Sequence, residues 1–141
     1  MEPLTVPGTL DSLGAIAQYV MTAASAASLD KKASYKLRLA VDEIATNIIS
    51  YAYEESNCEG VVDLRVEIDE QSLTLCIEDT GVAFNPLEKL PQEEGNLGKP
   101  LEERPIGKLG LYLAFDGVDE LLYERTGERN RNIFIVNRKK I

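Results

Sequence analysis

Glu43 and Asn47 stand four residues apart in the stretch Ala40-Val41-Asp42-Glu43-Ile44-Ala45-Thr46-Asn47. On a helix turning ~100° per residue they share one stripe, about 40° from each other. They border an apolar face, so a carboxylate and an amide would project into a cleft beside the sheet that the helix covers. A second group, Glu78-Asp79-Thr80-Gly81-Val82-Ala83-Phe84-Asn85-Pro86, falls where an alternating segment ends. Asp79 there can accept a hydrogen bond from an exocyclic amine, and Gly81 lets a flat ring approach the backbone. A third, Gly107-Lys108-Leu109-Gly110-Leu111, precedes a helical stretch, where free N–H groups and the positive end of the dipole suit a phosphate chain. Each has an ordinary alternative: a solvated helix edge, an Asp/Gly turn after a strand, and a flexible joint.

Composition narrows the chemistry. The chain contains no histidine, which removes imidazole acid–base catalysis, His ligation of metals and phosphohistidine from its own repertoire. Carboxylates, hydroxyls, lysine and backbone groups remain. A net charge of −9 argues against a broad grip on phosphate backbones, so no direct nucleic-acid contact is expected and a basic protein partner fits better. Cys58 and Cys76 form no disulfide or zinc pattern and are expected to be a loop thiol and a strand-packing residue. No apolar run approaches the ~20 residues that span a bilayer. Met1-Glu2-Pro3-Leu4 lacks the order of a signal peptide, so a cytoplasmic location is expected. With 141 residues, 44% hydrophobic and 28% charged, residues 1–141 are expected to form one globular domain.

The elements that must position the three groups follow from hydrophobic period. Residues 4–8 suggest a short strand. Thr9 or Asp11 is expected to cap a helix to about Ser28, with Leu10, Leu13, Ile16, Ala17 and Val20 on one side. Asp30 opens a longer helix to about Glu55, in which Leu37, Val41, Ile44, Ile48 and Ala52 recur at steps of three and four. From Val61 the period becomes two: Val62, Leu64, Val66 and Ile68 alternate with polar residues, and Leu73, Leu75 and Ile77 repeat the pattern after Glu70-Gln71, predicting an antiparallel hairpin. Residues 83–106 are polar and rich in Pro and Gly, a length of loop that often serves as a lid. A helix over Gly107 to Ala114 and strands over Val118 to Arg125 and Arg131 to Arg138, turning at Gly127, complete the chain. The order predicts an α+β fold: a two-layer α/β sandwich with a mostly antiparallel, mixed sheet and helices on one face.

Taken together, the three groups resemble the GHKL, or Bergerat, family of ATP-binding domains. Ala40 to Asn47 is similar to its N box, Asp79-Thr80-Gly81 to the first glycine box, and Gly107 to Gly110 to the second. Phe84-Asn85-Pro86, Leu101-Glu102-Glu103-Arg104-Pro105-Ile106-Gly107 and Gly110-Leu111-Tyr112-Leu113 look like the branch of anti-sigma serine/threonine kinases, and the resemblance runs from Pro3 to Arg138. It implies ATP and Mg2+, with Glu43 as general base, Asn47 as a magnesium ligand, Asp79 reading the adenine amine and Gly81 against the purine. It further implies that Gly107 and Gly110 shape a mobile ATP lid, with Lys108 beside the phosphates. The partners it implies are a STAS-type antagonist as substrate, a sigma factor or similar target, and a second copy of the chain. Three positions depart from the pattern: Tyr51 replaces a frequent basic residue or His, Ala83 a frequent Gly or Pro, and Lys108 a frequent Gly. Tyr51 and Lys108 motivate an alternative, a nucleotide-binding adaptor that transfers no phosphate. For Lys108 and Arg104 a solvated loop is an equal alternative to a phosphate contact.

Overall fold

A computed structural model describes residues 1–83, 85 and 118–138. Among them strand β1 (Leu4–Pro7) is followed by a 3-10 turn (Leu10–Ser12), helices α1 (Leu13–Ala26) and α2 (Lys31–Asn47), and a π-helix (Ile48–Glu54). Strands β2 (Val61–Ile68), β3 (Ser72–Asp79), β4 (Glu120–Thr126) and β5 (Arg129–Asn137) complete the described part. The sheet order is β1-β2-β3-β5-β4. Every pairing among the described residues is antiparallel, in keeping with the mostly antiparallel sheet expected.

Alternation decides which sheet face is covered. Val62, Leu64 and Val66 of β2, Leu73, Leu75 and Ile77 of β3, and Phe134 and Val136 of β5 are buried against the helices. Ile16, Val20 and Ala23 of α1 and Leu37, Val41 and Ile44 of α2 meet them from the helix layer. The reverse face is charged: Glu78 receives Arg129 at 2.7 Å and Arg131 at 2.6 Å, and Arg131 also holds Glu124 at 2.9 Å. Cys76 lies half-buried on this face, and burial, chiefly, pushes its thiol up to about 11; Cys58 is an exposed loop thiol.

Element ends follow local chemistry. Asp30 caps α2 as expected, accepting from the Ala33 N–H at 2.7 Å. At α1 neither expected cap operates: Thr9 precedes the 3-10 turn without a side-chain cap and Asp11 lies inside it. The chain is fixed there instead by Ser12 Oγ, which donates to the Pro7 carbonyl at 2.7 Å. Helix α1 closes with Ser28 at φ 58°, the Leu29 N–H returning to Ala24 O and the Ser28 N–H to Ser25 O, each at 3.0 Å. A left-handed serine costs about 1–2 kcal/mol, and glycine would give back roughly 0.5–1 of that as unfolded-chain entropy. Ser28→Gly is therefore expected to stabilise the domain by about 0.5–1 kcal/mol in chemical denaturation.

The β2–β3 turn is closed by Asp69, whose Oδ1 accepts the Gln71 and Ser72 N–H groups, each at 2.7 Å. Gly127, at φ 62°, takes the first turn position between β4 and β5, where a type II′ turn requires a positive φ. The loop to residue 106 (apart from residues 83 and 85), the helix expected over Gly107 to Ala114, and with it Gly107, Lys108 and Gly110, lie outside the described residues.

Candidate functional site

Helix α2 ends on the first pair. Asn47 is buried, 6% exposed, and its Nδ2 donates to Glu43 Oε1 at 3.3 Å across one turn. Glu43 is half-buried, and desolvation raises its carboxyl pKa while the Asn47 bond partly opposes the rise. Asp42, next to it, is also raised by burial, against the pull of Arg38 at 3.7 Å. Asn47 thus turns its nitrogen toward Glu43 and keeps a hard amide oxygen for another partner. One such oxygen beside a carboxylate fits Mg2+ of the kind that takes few protein ligands and completes its shell with phosphates and water.

Beyond Asn47 the helix does not continue in α form to Glu55, as its period suggests; Ile48–Glu54 winds as a π-helix. Such turns are rare and frequent at functional sites. Here the segment carries Tyr53, 1% exposed, into a slot where a Cβ on Gly8 or on Gly60 would come within 2.5 and 2.8 Å of its ring. The Tyr53 hydroxyl donates to Val61 O at 2.7 Å and accepts the Thr80 N–H at 3.0 Å. Tyr51, in the same segment, is 40% exposed.

The second group sits where β3 ends. Asp79 is 2% exposed; its Oδ1 accepts the Gly81 N–H and Asn130 Nδ2, both at 2.9 Å, and its Oδ2 has no hydrogen-bond partner among the described residues. Desolvation raises the Asp79 pKa, opposed first by the Asn130 bond, then by the Gly81 N–H and the Arg125 charge. A buried carboxylate with one oxygen held and the other without a partner is an acceptor suited to a ligand N–H. Gly81 meets the π-helix: a Cβ on it would stand 2.6 Å from Ala52 Cβ and 2.7 Å from Ala52 O. The close approach that demands glycine is thus to Ala52, and this contact couples the two groups. Among the described residues no hydrogen bond joins Glu43 or Asn47 to Asp79 directly.

Gly81→Ala is accordingly expected to destabilise the domain by about 1–3 kcal/mol, the cost of overpacking. Ala52→Gly in the same chain should restore only part of this, because the carbonyl oxygen stays in the way. Urea midpoints of the single and double variants measure both effects.

Residues outside the sequence-predicted set complete the site. Asn130 and Asn132, each 1% exposed, occupy core-facing positions of β5 that continue into Phe134 and Val136. Asn130 stands opposite Asp79 and Asn132 opposite Ile77. Neither polar atom of the Asn132 side chain has a partner among the described residues, so with Asp79 Oδ2 it makes one end of this sheet face polar. Tyr123 and Arg125 of β4 both donate to Asn130 Oδ1, Arg125 at 3.0 Å. Once the pairing with β3 fixes which face is covered, Asn130 and Asn132 stand out as two amides where that face calls for apolar residues. Among the described residues no group of three or more carboxylate or thiol ligands could enclose a metal. No described helix is long and apolar enough to cross a membrane.

This arrangement, an antiparallel sheet backed by helices with a carboxylate–amide pair on one helix and a buried aspartate at a strand end, has known counterparts. Residues 6–135 match the histidine kinase-like ATPase domain, and the chain belongs to that family. It is 32% identical over 87 residues to the serine-protein kinase RsbW of Bacillus mycoides, covering 60% of this chain and 52% of that protein. The serine-protein kinase RsbW of Bacillus cereus is 31% identical over the same length, with the same coverage. The chain therefore spans about half the length of these curated relatives. A similar fold is that of the histidine kinase domain from the blue-light activated histidine kinase EL346 of Erythrobacter litoralis. Its TM-score is 0.57 at 19% identity, covering 89% of this chain and 59% of that one.

Proposed function

We propose that this domain binds ATP with Mg2+ and phosphorylates a serine or threonine of a STAS-type antagonist protein, in a cytoplasmic partner-switching circuit that also holds a sigma factor or similar target. The observation that carries the nucleotide part is Asp79: a buried carboxylate whose Oδ1 is engaged twice while Oδ2 has no partner among the described residues, as an acceptor for the adenine amine would be arranged. Gly81 holds the turn close to the π-helix, so the backbone beside Asp79 is fixed before a nucleotide enters. In this reading Gly107 and Gly110 would shape the lid of residues 83–106, with Lys108 beside the phosphates.

For transfer, Glu43 takes the proton of the incoming hydroxyl as its oxygen attacks the terminal phosphorus and the bridging oxygen departs with ADP. Burial, by raising the Glu43 pKa, brings the carboxylate nearer the range in which a base is effective at neutral pH. Asn47 orients Glu43 through its amide nitrogen and supplies its oxygen to the metal. The Asn47 oxygen, beside Glu43, would hold Mg2+, which would supply neutralisation of the phosphate charge. Similarity to proteins named serine-protein kinase supports a hydroxyl acceptor. The antagonist, the sigma-type target and a homodimer belong to the same proposal.

The test is transfer of labelled phosphate from ATP with Mg2+ to the antagonist encoded nearby. Stoichiometric serine labelling that vanishes in Glu43→Ala supports the reading. Labelling that persists in that variant overturns the role of Glu43. Nucleotide and partner binding without turnover would instead identify the adaptor that Tyr51 and Lys108 suggested.

A further inference from the structure

The side chain of Asn130 is more fully engaged than any contact in the proposed chemistry requires. Its Nδ2 reaches Asp79 Oδ1 at 2.9 Å, Gly81 O at 3.2 Å and Val82 O at 2.9 Å. Its Oδ1 accepts from the Tyr123 hydroxyl and from Arg125 Nη1, which also reaches Gly81 O at 3.1 Å. A guanidinium only donates and a peptide carbonyl only accepts, so the amide has a single orientation that satisfies all of these groups. Its nitrogen therefore faces the carboxylate. Asp79 Oδ1 consequently receives two donors, the Gly81 N–H and Asn130, while Oδ2 of the same buried group receives none among the described residues.

We infer that Asn130 is a positioning residue for base recognition: it pins Asp79 through Oδ1 so that Oδ2 alone is offered to the ligand, and thereby sets a preference for 6-amino over 6-oxo purines. The inference rests on the nucleotide-binding reading above and gives the site a base selectivity. The mechanism is electrostatic as well as steric. Two donors on Oδ1 favour the carboxylate over the acid, and only the carboxylate is an acceptor without a proton of its own to offer. A protonated Asp79 could donate to a purine carbonyl, which would erase the discrimination. The charge acting on Asp79 is that of Arg125 from β4; the π-helix side contributes Ala52 and, through the Thr80 peptide, the Tyr53 hydroxyl.

The test compares binding of ADP and of inosine diphosphate, which carries a carbonyl in place of the amine, by calorimetry from pH 5 to pH 8. The wild-type protein is expected to prefer ADP by about 10–100-fold at pH 7.5, the range of one hydrogen bond to a charged group. As pH falls and Asp79 takes up a proton, the preference should shrink. In Asn130→Ala the preference should drop below about tenfold, and its midpoint should move to higher pH, because a bond favouring the charged form is gone. Tyr123→Phe, which leaves Arg125 to hold the amide, should shift both quantities the same way by a smaller amount, and thermal melts establish that each variant is folded. A purely structural role would weaken both nucleotides together and leave the ratio and its midpoint unmoved in every folded variant. That result overturns the inference alone. A folded wild-type protein that binds neither nucleotide overturns the nucleotide reading and the inference with it.

Discussion

Asp79→Asn is expected to weaken ATP and ADP binding by about 100-fold at pH 7.5 while leaving the domain as stable as before, or more so. The two halves have one cause. In the folded protein Asp79 is buried and desolvation raises its pKa, so its charged form carries a cost that the bonds from Asn130 and Gly81 only partly offset. An amide oxygen can still accept both of those bonds, and the charge disappears. At the position proposed to face the ligand, however, an N–H group replaces Oδ2. A donor then confronts the donor of the adenine amine, and loss of a hydrogen bond to a charged group is worth about 1.5–3 kcal/mol. The pH dependences run in opposite directions. A carboxyl raised in the folded state contributes stability below its unfolded pKa and loses it as pH rises through the folded one, so any stability advantage of the variant is greatest at neutral pH and fades on acidification. Nucleotide binding by the wild-type protein is instead lost on acidification. Denaturation and calorimetry over one pH series separate the two; equal nucleotide affinity of variant and wild type at pH 7.5 would refute the assignment of Asp79.

The parts of the fold that were legible are those in which one face alone is apolar. Val62, Leu64 and Val66 alternate with Asp63, Arg65 and Glu67, and the structure buries the first set and turns the second away. Leu37, Val41, Ile44, Ile48 and Ala52 are all buried as their spacing predicts. The same spacing hid the change of winding, because Ile48 and Ala52 keep a step of four while the backbone passes into the π-helix. Hydrophobic period reports which side chains are covered and is insensitive to a local shift in hydrogen bonding. Glu43, Asn47, Asp79 and Gly81 were visible because their types and spacing match a recurring chemistry. Their relation was not, since Ala52 against Gly81 depends on that winding. The Asn130 network was hidden for another reason. In Asn132-Ile133-Phe134-Ile135-Val136 both faces of the strand hold apolar residues, so sequence alone does not tell whether the face shared by Asn130 and Asn132 is the covered one. Only the pairing of Asp79 with Asn130 fixes that register.

Glu43→Gln provides the counterpart to Asp79→Asn, a loss of chemistry with binding retained. The glutamine oxygen can still accept from Asn47 Nδ2, now at 3.3 Å from Glu43 Oε1, so the amide and the oxygen proposed for the metal keep their support. What disappears is the proton acceptor. Phosphoryl transfer to the protein substrate is expected to fall by about 10²–10⁴, the usual contribution of a positioned general base, while ADP affinity changes by less than about threefold. In the wild-type protein the transfer rate should rise with pH as Glu43 ionises, with a midpoint above the ordinary glutamate range because burial raises it; in Glu43→Gln that rising limb should vanish. Stability provides an independent check on the same group. Since the folded pKa of Glu43 is raised, the neutral glutamine should equal or exceed wild-type stability at pH 7, and the difference should close as pH falls through that pKa. Asp42 is the natural control, being adjacent, half-buried and likewise raised by burial, but paired with Arg38 rather than Asn47. Asp42→Asn should keep the rising limb that Glu43→Gln loses. If Asp42→Asn removed the limb and Glu43→Gln kept it, the base would be the neighbouring carboxylate, and the Asn47 bond would serve only to hold the end of α2.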